Sequence, residues 1–334
     1  MAWSEDLPLF ARHRAKAKEV ALALSSLNHV IIAAHVNPDG DAFGSVLACA
    51  EMLSALHKDF VLYSSTGIPE FLSFFPNPYP VHENLHDLPF KPEACLLVDL
   101  GEFHRIGGDL EELAKTLLRV NVDHHQGAGL GSLANWVEPK AAATCELLAC
   151  VAHSLAIPFT PTLAKSLALG LITDTGSFAY SNTTAEIMDL MAFLMRKGVD
   201  LAGLRSDLED NMRLERMYLW ANLLPKTRFL ADGKIAIVLA SLSDLALVQA
   251  RREDLEGLVE YLRKLRGVRV SCVVREDEGK SCKFSLRSAF DLDVCTLAQS
   301  LHGGGHRNAA GGTLSLPLDE AYLKLEEALL SLPV

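Results

Sequence analysis

The segment Ala34–Ser45 contains one histidine and two aspartates within seven residues: His35, Asp39 and Asp41. It follows the apolar run Val30–Ala33, and its Asn-Pro-Asp-Gly sequence is typical of a tight turn after a buried strand. Open α/β sheets build their active sites at the carboxyl ends of strands. Offsets of four and of two residues let these side chains reach two adjacent metal ions. The pattern is a first indication of a hydrolase.

Three further sites carry aspartate or histidine at the end of a predicted element. Asp99 ends one strand, the tripeptide at 123–125 ends the next, and Asp174 ends a helix. Taken singly, an aspartate at such a position is most often a turn former or a helix cap. Within the tripeptide, Asp123 could be a carboxylate that orients a histidine, or a structural one. The joint occurrence in one α/β domain favours convergence on a metal centre.

Mixed aspartate and histidine ligation suits hard or borderline divalent cations, Mn²⁺ first, with Mg²⁺ or Co²⁺ as alternatives. Two such ions about 3.5–4 Å apart can share a hydroxide and hold both the entering and the leaving oxygen of an in-line displacement at phosphorus. We therefore expect two divalent metal ions and hydrolysis of a phosphoester.

The order of predicted elements indicates an α/β domain followed by a smaller α+β domain. In the first, helices alternate with strands at 30–34, 60–63, 94–99 and 119–123, and helices follow near 141–155, 161–171 and 184–197. This alternation favours a doubly wound, mainly parallel sheet. In the second, we predict strands at 228–230, 235–240, 268–275 and 282–287, helices at 254–265 and 294–301, then a Gly-rich loop and a strand at 313–316.

We expect domain boundaries that match this change of pattern. Residues 1–200 form the first domain, 201–225 a helical connector and 226–334 the second domain, with the active site in the cleft between the domains. A chain of 334 residues, 49% of them hydrophobic, has room for two cores. The seven cysteines are odd in number and form no Cys-x-x-Cys pair, which predicts reduced core residues.

Charge and hydropathy narrow the possible partners. The first residues lack a secretory pattern, and no run reaches the roughly 18–20 apolar residues of a membrane span, so we expect a cytoplasmic protein without membrane association. Residues 226–334 are balanced in charge, so the whole net charge of −11 lies on residues 1–225. Long duplexes need a broad basic face. We expect small anionic ligands, although an acidic surface that only maintains solubility explains the total charge equally well.

Four motifs, in this order and at these intervals, resemble those of the DHH phosphoesterase superfamily. They are His-x-Asn-Pro-Asp-Gly-Asp-Ala-x-Gly-Ser, Val-Asp, Asp-His-His and Thr-Asp-Thr-Gly, and the match spans most of residues 29–180. The resemblance implies one metal held by His35, Asp39 and Asp99. It implies a second held by Asp41, Asp99, His124 and Asp174, with Asp99 as the bridge. Asp99 and His125 would be the catalytic residues, and His125 would face the substrate phosphate.

The second domain resembles the C-terminal domain associated with DHH proteins. Its signature is the Gly-Gly-Gly-His run at 303–306, preceded by a strand that contains Phe-Ser-Leu-Arg-Ser. Glycines let backbone N–H groups approach an anion closely, and a nearby His or Arg adds a charge-assisted hydrogen bond. The resemblance implies substrate-binding roles for His125, Arg105, Arg287, Ser288, Gly304, Gly305 and His306.

The compact two-domain layout is similar to nano-RNases of the oligoribonuclease and 3′-phosphoadenosine-5′-phosphate phosphatase type. The resemblance implies hydroxide attack on phosphorus in short single-stranded oligoribonucleotides or 3′,5′-bisphosphate nucleotides. An edge strand or an exposed helix could in addition make a homodimer. A phosphodiesterase of cyclic or linear dinucleotides is the alternative. A noncatalytic nucleotide sensor is a remote alternative, because it predicts the loss of at least one metal ligand and none of the ligand positions is lost.

Overall fold

The computed structural model describes residues 7–209, 212–278, 280–289 and 292–334. The chain separates into two compact units, Met1–Asn211 and Met212–Val334. No helix within the described ranges is long and apolar enough to cross a lipid bilayer. All seven cysteines are free thiols and six are buried, as predicted for reduced core residues.

The first unit contains one sheet and seven helices among its described residues. The strands are β1 (Val30–Ala33), β2 (Phe60–Tyr63), β3 (Val81–His82), β4 (Ala94–Val98), β5 (Leu118–Asp123) and β6 (Ala134–Val137). The helices are α1 (Pro8–Ser26), α2 (Gly40–Ala55), α3 (Leu110–Thr116), α4 (Thr144–Ser154), α5 (Pro161–Asp174), α6 (Ala185–Arg196) and α7 (Leu201–Glu209).

The strand order of this sheet is β3-β2-β1-β4-β5-β6, and every pairing recorded between its strands is parallel. The chain winds outward in one direction from β1 to β3 and in the other from β4 to β6. The predicted doubly wound fold is confirmed. The winding reverses between β1 and β4, and such a switch point opens a crevice at the carboxyl ends of the two strands.

Both faces of the sheet are covered. Alternate residues of β1 enter different cores: Val30 and Ile32 pack in the large core that includes α1, α2, α4, α5 and α6. Ile31 and Ala33 pack in a smaller core with Leu110 of α3 on the opposite face. A strand buried on both faces has no solvent side for polar residues, so its chemistry is confined to its end.

The second unit has a mixed sheet. Its elements are α8 (Leu214–Leu223), β7 (Arg228–Leu230), β8 (Ile235–Ala240), α9 (Leu242–Leu247), α10 (Leu258–Arg263), β9 (Val270–Asp277), β10 (Ser281–Ser288), α11 (Val294–Ser300), β11 (Gly304–His306), β12 (Ala309–Leu314) and α12 (Leu318–Leu330). The order is β11-β12-β10-β9-β8-β7. Only β8 and β9 pair in parallel among the strands described here, so the unit is α+β, as predicted.

Several predicted elements differ from the structure for identifiable reasons. The prediction of a Gly-rich loop is wrong, because β11 and β12 pair as a hairpin in which Gly305 faces Ala310. The single helix over 254–265 is interrupted at Gly257, whose φ of +77° is left-handed. Strands β3 and β6 and helices α9 and α12 were not predicted. The segment 201–225 contains α7, whose Leu204 is buried in the core of the first unit, and α8, whose Leu219 is buried in the second.

Candidate metal centre

The candidate ligands gather at the switch point of the first sheet. Ala33 of β1 pairs with Leu97 of β4, so the chain leaves the two neighbouring strands at the same level, toward His35 and Asp99. Asp123 ends β5, the next strand. The register of the parallel sheet therefore brings together residues that are far apart in the sequence.

His35, Asp39 and Asp99 form one candidate group. Nε2 of His35 lies 3.6 Å from Oδ2 of Asp39 and 3.7 Å from Oδ2 of Asp99. Its other ring nitrogen, Nδ1, lies 2.9 Å from the carbonyl oxygen of Val36, which fixes the ring. Nε2 is buried and has no hydrogen-bond partner among the described residues. A buried imidazole nitrogen beside two carboxylates fits a metal ligand.

The two oxygens of the Asp39 carboxylate have different partners. Asp39 is the N-cap of α2, and its Oδ1 accepts hydrogen bonds from the backbone N–H groups of Asp41 and Ala42, at 3.1 and 3.0 Å. Its Oδ2 faces His35. One oxygen of Asp39 therefore caps the helix, and the other is left in a position from which it could bind a metal ion.

Asp41, His124 and Asp174 form a second candidate group. Nε2 of His124 lies 3.2 Å from Oδ2 of Asp174, 3.8 Å from Oδ2 of Asp41 and 3.4 Å from Oδ1 of Asp99. Nδ1 of His124 lies 3.3 Å from the carbonyl oxygen of Ala141. This contact orients the imidazole as the Val36 contact orients His35.

The pKa values in this group reflect crowded carboxylates. Burial and the neighbouring charges of Asp99 and Asp174 raise the pKa of Asp41 well above its usual range. Burial, with the charges of Asp39 and Asp99, raises the pKa of Asp174 to about 6 although His124 opposes the shift. Burial lowers the pKa of His124, but hydrogen bonds to Asp174 and Asp99 outweigh it and raise the pKa to about 12. A bound divalent cation would relieve this repulsion between carboxylates.

Thr144, at the start of α4, connects the two groups and has no signal in the sequence analysis. Its hydroxyl donates to Oδ1 of Asp99 at 3.0 Å, and its backbone N–H donates to Oδ2 of Asp41 at 2.6 Å. The N–H of Cys145 donates to the other oxygen of Asp41 at 3.0 Å. The fully buried Asp41 therefore occupies the N-terminus of α4, where backbone donors stabilise an anion.

Two more residues that the sequence analysis missed hold the backbone around the ligands. Nδ2 of Asn182 donates to the carbonyl oxygens of Asp174 and Ala142, at 3.0 and 3.2 Å. The buried carboxylate of Glu146 accepts from the N–H of Ala142 at 2.7 Å. Both contacts immobilise the residue next to Ala141, whose carbonyl orients His124.

Asp123 holds His125 rather than joining either of these groups. Its Oδ1 lies 2.9 Å from the backbone nitrogen and 2.8 Å from Nδ1 of His125, and its Oδ2 accepts from the N–H of Gly101 at 2.6 Å. Burial opposes the shift, but the hydrogen bonds from His125 and Gly101 lower the pKa of Asp123. Of the two interpretations left open above, the geometry favours the orienting carboxylate. Nε2 of His125 lies 3.3 Å from the guanidinium of Arg105.

The substrate-binding residues that we predict in the second unit differ in burial and in their bonding partners. Nε of Arg287 forms an ion pair with Glu260 at 2.8 Å. Ser288 is buried, and its hydroxyl donates to Leu292 O at 2.7 Å and accepts from Asn308 at 2.8 Å. A Cβ on Gly304 would meet open space, whereas one on Gly305 would lie 2.5 Å from Ala309 O. The side chain of His306 lies outside what the structure describes.

The doubly wound α/β unit thus carries overlapping groups of aspartate and histidine that could hold metal ions, the third being Asp99, His124 and His125, in an arrangement suited to a phosphoesterase. Comparisons with known proteins agree. The DHH family, N-terminal domain, matches residues 29–171, and the DHHA1 domain matches residues 245–331. The bifunctional oligoribonuclease and PAP phosphatase NrnA of Thermus thermophilus is 33% identical, over 95% of this chain and 94% of that protein. The chain belongs to the DHH phosphoesterase family.

Two further relatives extend the comparison. The cyclic-di-AMP phosphodiesterase GdpP of Bacillus subtilis is 25% identical over 96% of this chain and 51% of its own length. The crystal structure of an exopolyphosphatase-related protein from Bacteroides fragilis has a TM-score of 0.86 at 23% identity, covering 98% of this chain and 97% of that chain. This last likeness shows the fold.

Proposed function

We propose that the chain hydrolyses phosphoester bonds of short single-stranded oligoribonucleotides and of 3′,5′-bisphosphate nucleotides with two divalent metal ions. The observation that carries the proposal is that the two oxygens of the Asp99 carboxylate face different candidate groups. Its Oδ1 faces His124 at 3.4 Å and its Oδ2 faces His35 at 3.7 Å, so one buried carboxylate touches both candidate groups. A carboxylate shared in this way is suited to bridge two cations.

The donor set supports the choice of ions. His35, Asp39 and Asp99 would hold one ion, while Asp41, Asp99, His124 and Asp174 would hold the other. Carboxylate oxygens with one imidazole in each group suit Mn²⁺, and Mg²⁺ or Co²⁺ are alternatives. When bound, two such ions supply an activated water nucleophile and neutralise the charge of the phosphoryl group.

Residues around the ions would bind and orient the substrate. Asp123 accepts a hydrogen bond from Nδ1 of His125, so the ring is held with Nε2 toward Arg105. We assign this His125–Arg105 pair to the substrate phosphate, which an arginine recognises through charge-assisted hydrogen bonds. Thr144 and the backbone of Cys145 hold two of the carboxylates in place.

The second unit would bind the nucleotide. Gly304 presents backbone with open space around it, and Gly305 keeps the β11–β12 hairpin tight. Arg287 pairs with Ala309 of β12, the strand that lies between β10 and β11. The hydroxyl of Ser288 is hydrogen-bonded to residues of its own unit, so we assign Ser288 the role of supporting the end of β10 beside Arg287. His306 is the last of the residues that we assign to nucleotide binding.

The substrate assignment follows the relative that matches nearly the whole chain, a bifunctional oligoribonuclease and PAP phosphatase. A second candidate, hydrolysis of cyclic or linear dinucleotides, is supported by the match of 96% of this chain to a cyclic-di-AMP phosphodiesterase. Both reactions use the same metal centre and differ in the nucleotide that enters it.

The test is a parallel assay of the purified chain with Mn²⁺. The substrates are RNA dimers to pentamers, 3′-phosphoadenosine-5′-phosphate, cyclic di-adenylate and pyrophosphate. We expect hydrolysis of the short RNAs and of the bisphosphate nucleotide, and its loss in Asp99→Ala. Activity confined to cyclic di-adenylate would favour the second candidate. Activity confined to pyrophosphate, or survival of hydrolysis in Asp99→Ala, would contradict the proposal.

A further inference from the structure

Tyr180 is an exposed aromatic residue in the loop that follows the candidate ligand Asp174. It lies in the loop between α5 and α6, six residues after Asp174, and is 53% exposed. Large aromatic side chains usually bury most of their surface, so a half-exposed ring next to a reaction centre is a candidate binding surface.

The Tyr180 ring lies with one face on the backbone of Gly176. A Cβ built on Gly176 would come 2.4 Å from Cζ and 2.6 Å from both Cε atoms of the ring. Nearly equal distances to these three atoms place that point above the ring plane, because an approach along the plane from the hydroxyl end would leave the Cε atoms much farther away. Gly176 therefore lies against one face of the ring, while the residue as a whole remains 53% exposed.

The loop that carries the ring is held firmly. The N–H of Tyr180 donates to Thr175 O at 2.9 Å, and its carbonyl accepts from Thr183 N at 3.1 Å. Asn182 donates to the carbonyl oxygen of Asp174 at 3.0 Å, which ties the loop to a candidate metal ligand. These bonds position the ring before any ligand arrives.

The backbone between the ligand and the ring is unusual. Gly176, Ser177 and Phe178 have φ values of +55°, +56° and +67° in succession. The left-handed region is uncommon for residues with a Cβ, and such strained positions cluster at binding and active sites. Here the left-handed run reverses the chain, so that the ring of Tyr180 covers Gly176.

We propose that Tyr180 is a stacking platform for a nucleobase of the substrate. The inference rests on the proposed function, because a base is present only if the phosphoester belongs to a nucleotide. A fixed aromatic ring with one open face stacks on the face of any base, largely without regard to sequence. Its place beside Asp174 suits a base attached to the sugar whose phosphate is hydrolysed.

The experiment compares substrates with and without a base. Rates are measured for 5′-phosphorylated diadenylate and for its abasic counterpart, with wild-type chain, Tyr180→Ala and Tyr180→Phe. We expect Tyr180→Ala to raise KM for the diadenylate about 5- to 150-fold. We expect a change of less than about twofold for the abasic compound, and wild-type values for Tyr180→Phe, which keeps the ring.

A matched control and a binding measurement separate stacking from damage to the fold. Tyr218→Ala removes a ring of similar exposure, 50%, from α8 of the second unit and should leave both KM values unchanged. Calorimetry should show that adenosine 5′-monophosphate binds the wild-type chain more tightly than ribose 5-phosphate does, and that Tyr180→Ala abolishes this preference.

Two negative results have different meanings. If the wild-type chain hydrolyses diadenylate and Tyr180→Ala leaves its KM unchanged, or raises both KM values equally, the stacking role is wrong and the proposed function stands. If the wild-type chain hydrolyses no nucleotide at all, the proposed function is wrong and the stacking role falls with it.

Discussion

Asp123 and His125 are joined through a single carboxylate oxygen, which lies 2.9 Å from the backbone nitrogen and 2.8 Å from the ring Nδ1 of the histidine. The arrangement requires the proton on Nδ1 and leaves Nε2 with its lone pair toward Arg105. The middle residue between them, His124, points to the other candidate group. Both histidines also lie 3.4 Å from Oδ1 of Asp99, so the adjacent rings share that carboxylate while each has a further partner, Asp174 for His124 and Asp123 for His125.

Replacing Asp123 by asparagine should lower activity without removing metal. The carboxylate accepts from His125 through Oδ1 and from Gly101 through Oδ2. An amide has a single acceptor oxygen and cannot keep both sets of bonds, so the ring of His125 is held less firmly and we expect kcat to fall about 10- to 100-fold. Initial rates on diadenylate at saturating Mn²⁺ check this. A parallel loss of Mn²⁺ affinity would instead identify Asp123 as a ligand.

Thr144 offers a test of metal positioning. Thr144→Val keeps the shape and the backbone bond to Asp41 but removes the hydroxyl that donates to Asp99. We expect Mn²⁺ affinity about 10- to 100-fold weaker, because hydrogen bonds to ligating carboxylates fix their orientation. Thr144→Ser should restore it. Calorimetric titration of metal-free protein measures the effect, and equal affinities in all three chains would exclude this role.

Metal should stabilise the first unit. A ligand that binds only the folded state at 100 times its Kd adds about 2.7 kcal/mol, which corresponds to a rise of several degrees in Tm for a unit of this size. Differential scanning calorimetry with Mn²⁺ or with a chelator checks the shift. Asp99→Asn, which keeps the volume and removes the shared charge, is the control. A shift of equal size in that variant would place the binding elsewhere.

The two adjacent glycines of β11 should respond differently to alanine. Gly305 has a φ of +137°, and a Cβ there would meet Ala309 O at 2.5 Å, so we expect Gly305→Ala to destabilise the second unit by about 1–3 kcal/mol. Gly304→Ala should leave the stability unchanged and raise KM for nucleotides, since its Cβ would occupy the open space. Denaturant unfolding and rate measurements separate the two effects, and equal loss of stability would contradict this view of the hairpin.

Acid should weaken the second unit through Asp244. Burial opposes the shift, but hydrogen bonds from Lys226 and Ser241 lower the pKa of Asp244 to about 2. Because the folded value lies below the unfolded value of about 3.9, this stabilisation is complete above pH 4 and disappears as the pH falls toward 2. The difference in Tm between the wild-type chain and Asp244→Asn should shrink over that range. The exposed Asp319→Asn serves as control and should show no such trend.

The candidate ligands could be predicted from sequence because each follows an element whose pattern is strong. Apolar runs predict where β1, β4 and β5 end, and the parallel sheet brings those ends together. Thr144 could not be found in this way, because its hydrogen bond to Asp41 spans 103 positions and depends on how α4 packs against α2. Neighbouring strands predict proximity, whereas a contact between helices has no comparable local signal.

For the Gly-rich segment of the second unit, the sequence predicted a site but not the secondary structure. Its motif predicted a site, but its composition predicted a loop, since glycine disfavours strands. Pairing of β11 with β12, which in turn pairs with β10, overrides that preference, and the close approach of the paired backbones, as at Gly305, needs residues without a side chain.

The contacts of Asp41 limit which amino-acid substitutions the first unit can tolerate. Helix α4 has Ala143 at its N-cap, which cannot accept a hydrogen bond through its side chain, and the carboxylate of Asp41 takes the backbone donors instead. The same oxygens face His124 and, by our proposal, a cation. A chain that lost this aspartate would lose a helix terminus together with its chemistry, as would one that lost Asp39 from the N-cap of α2. A stable but inactive descendant would be easier to reach by substitution at His35, His124 or Asp174.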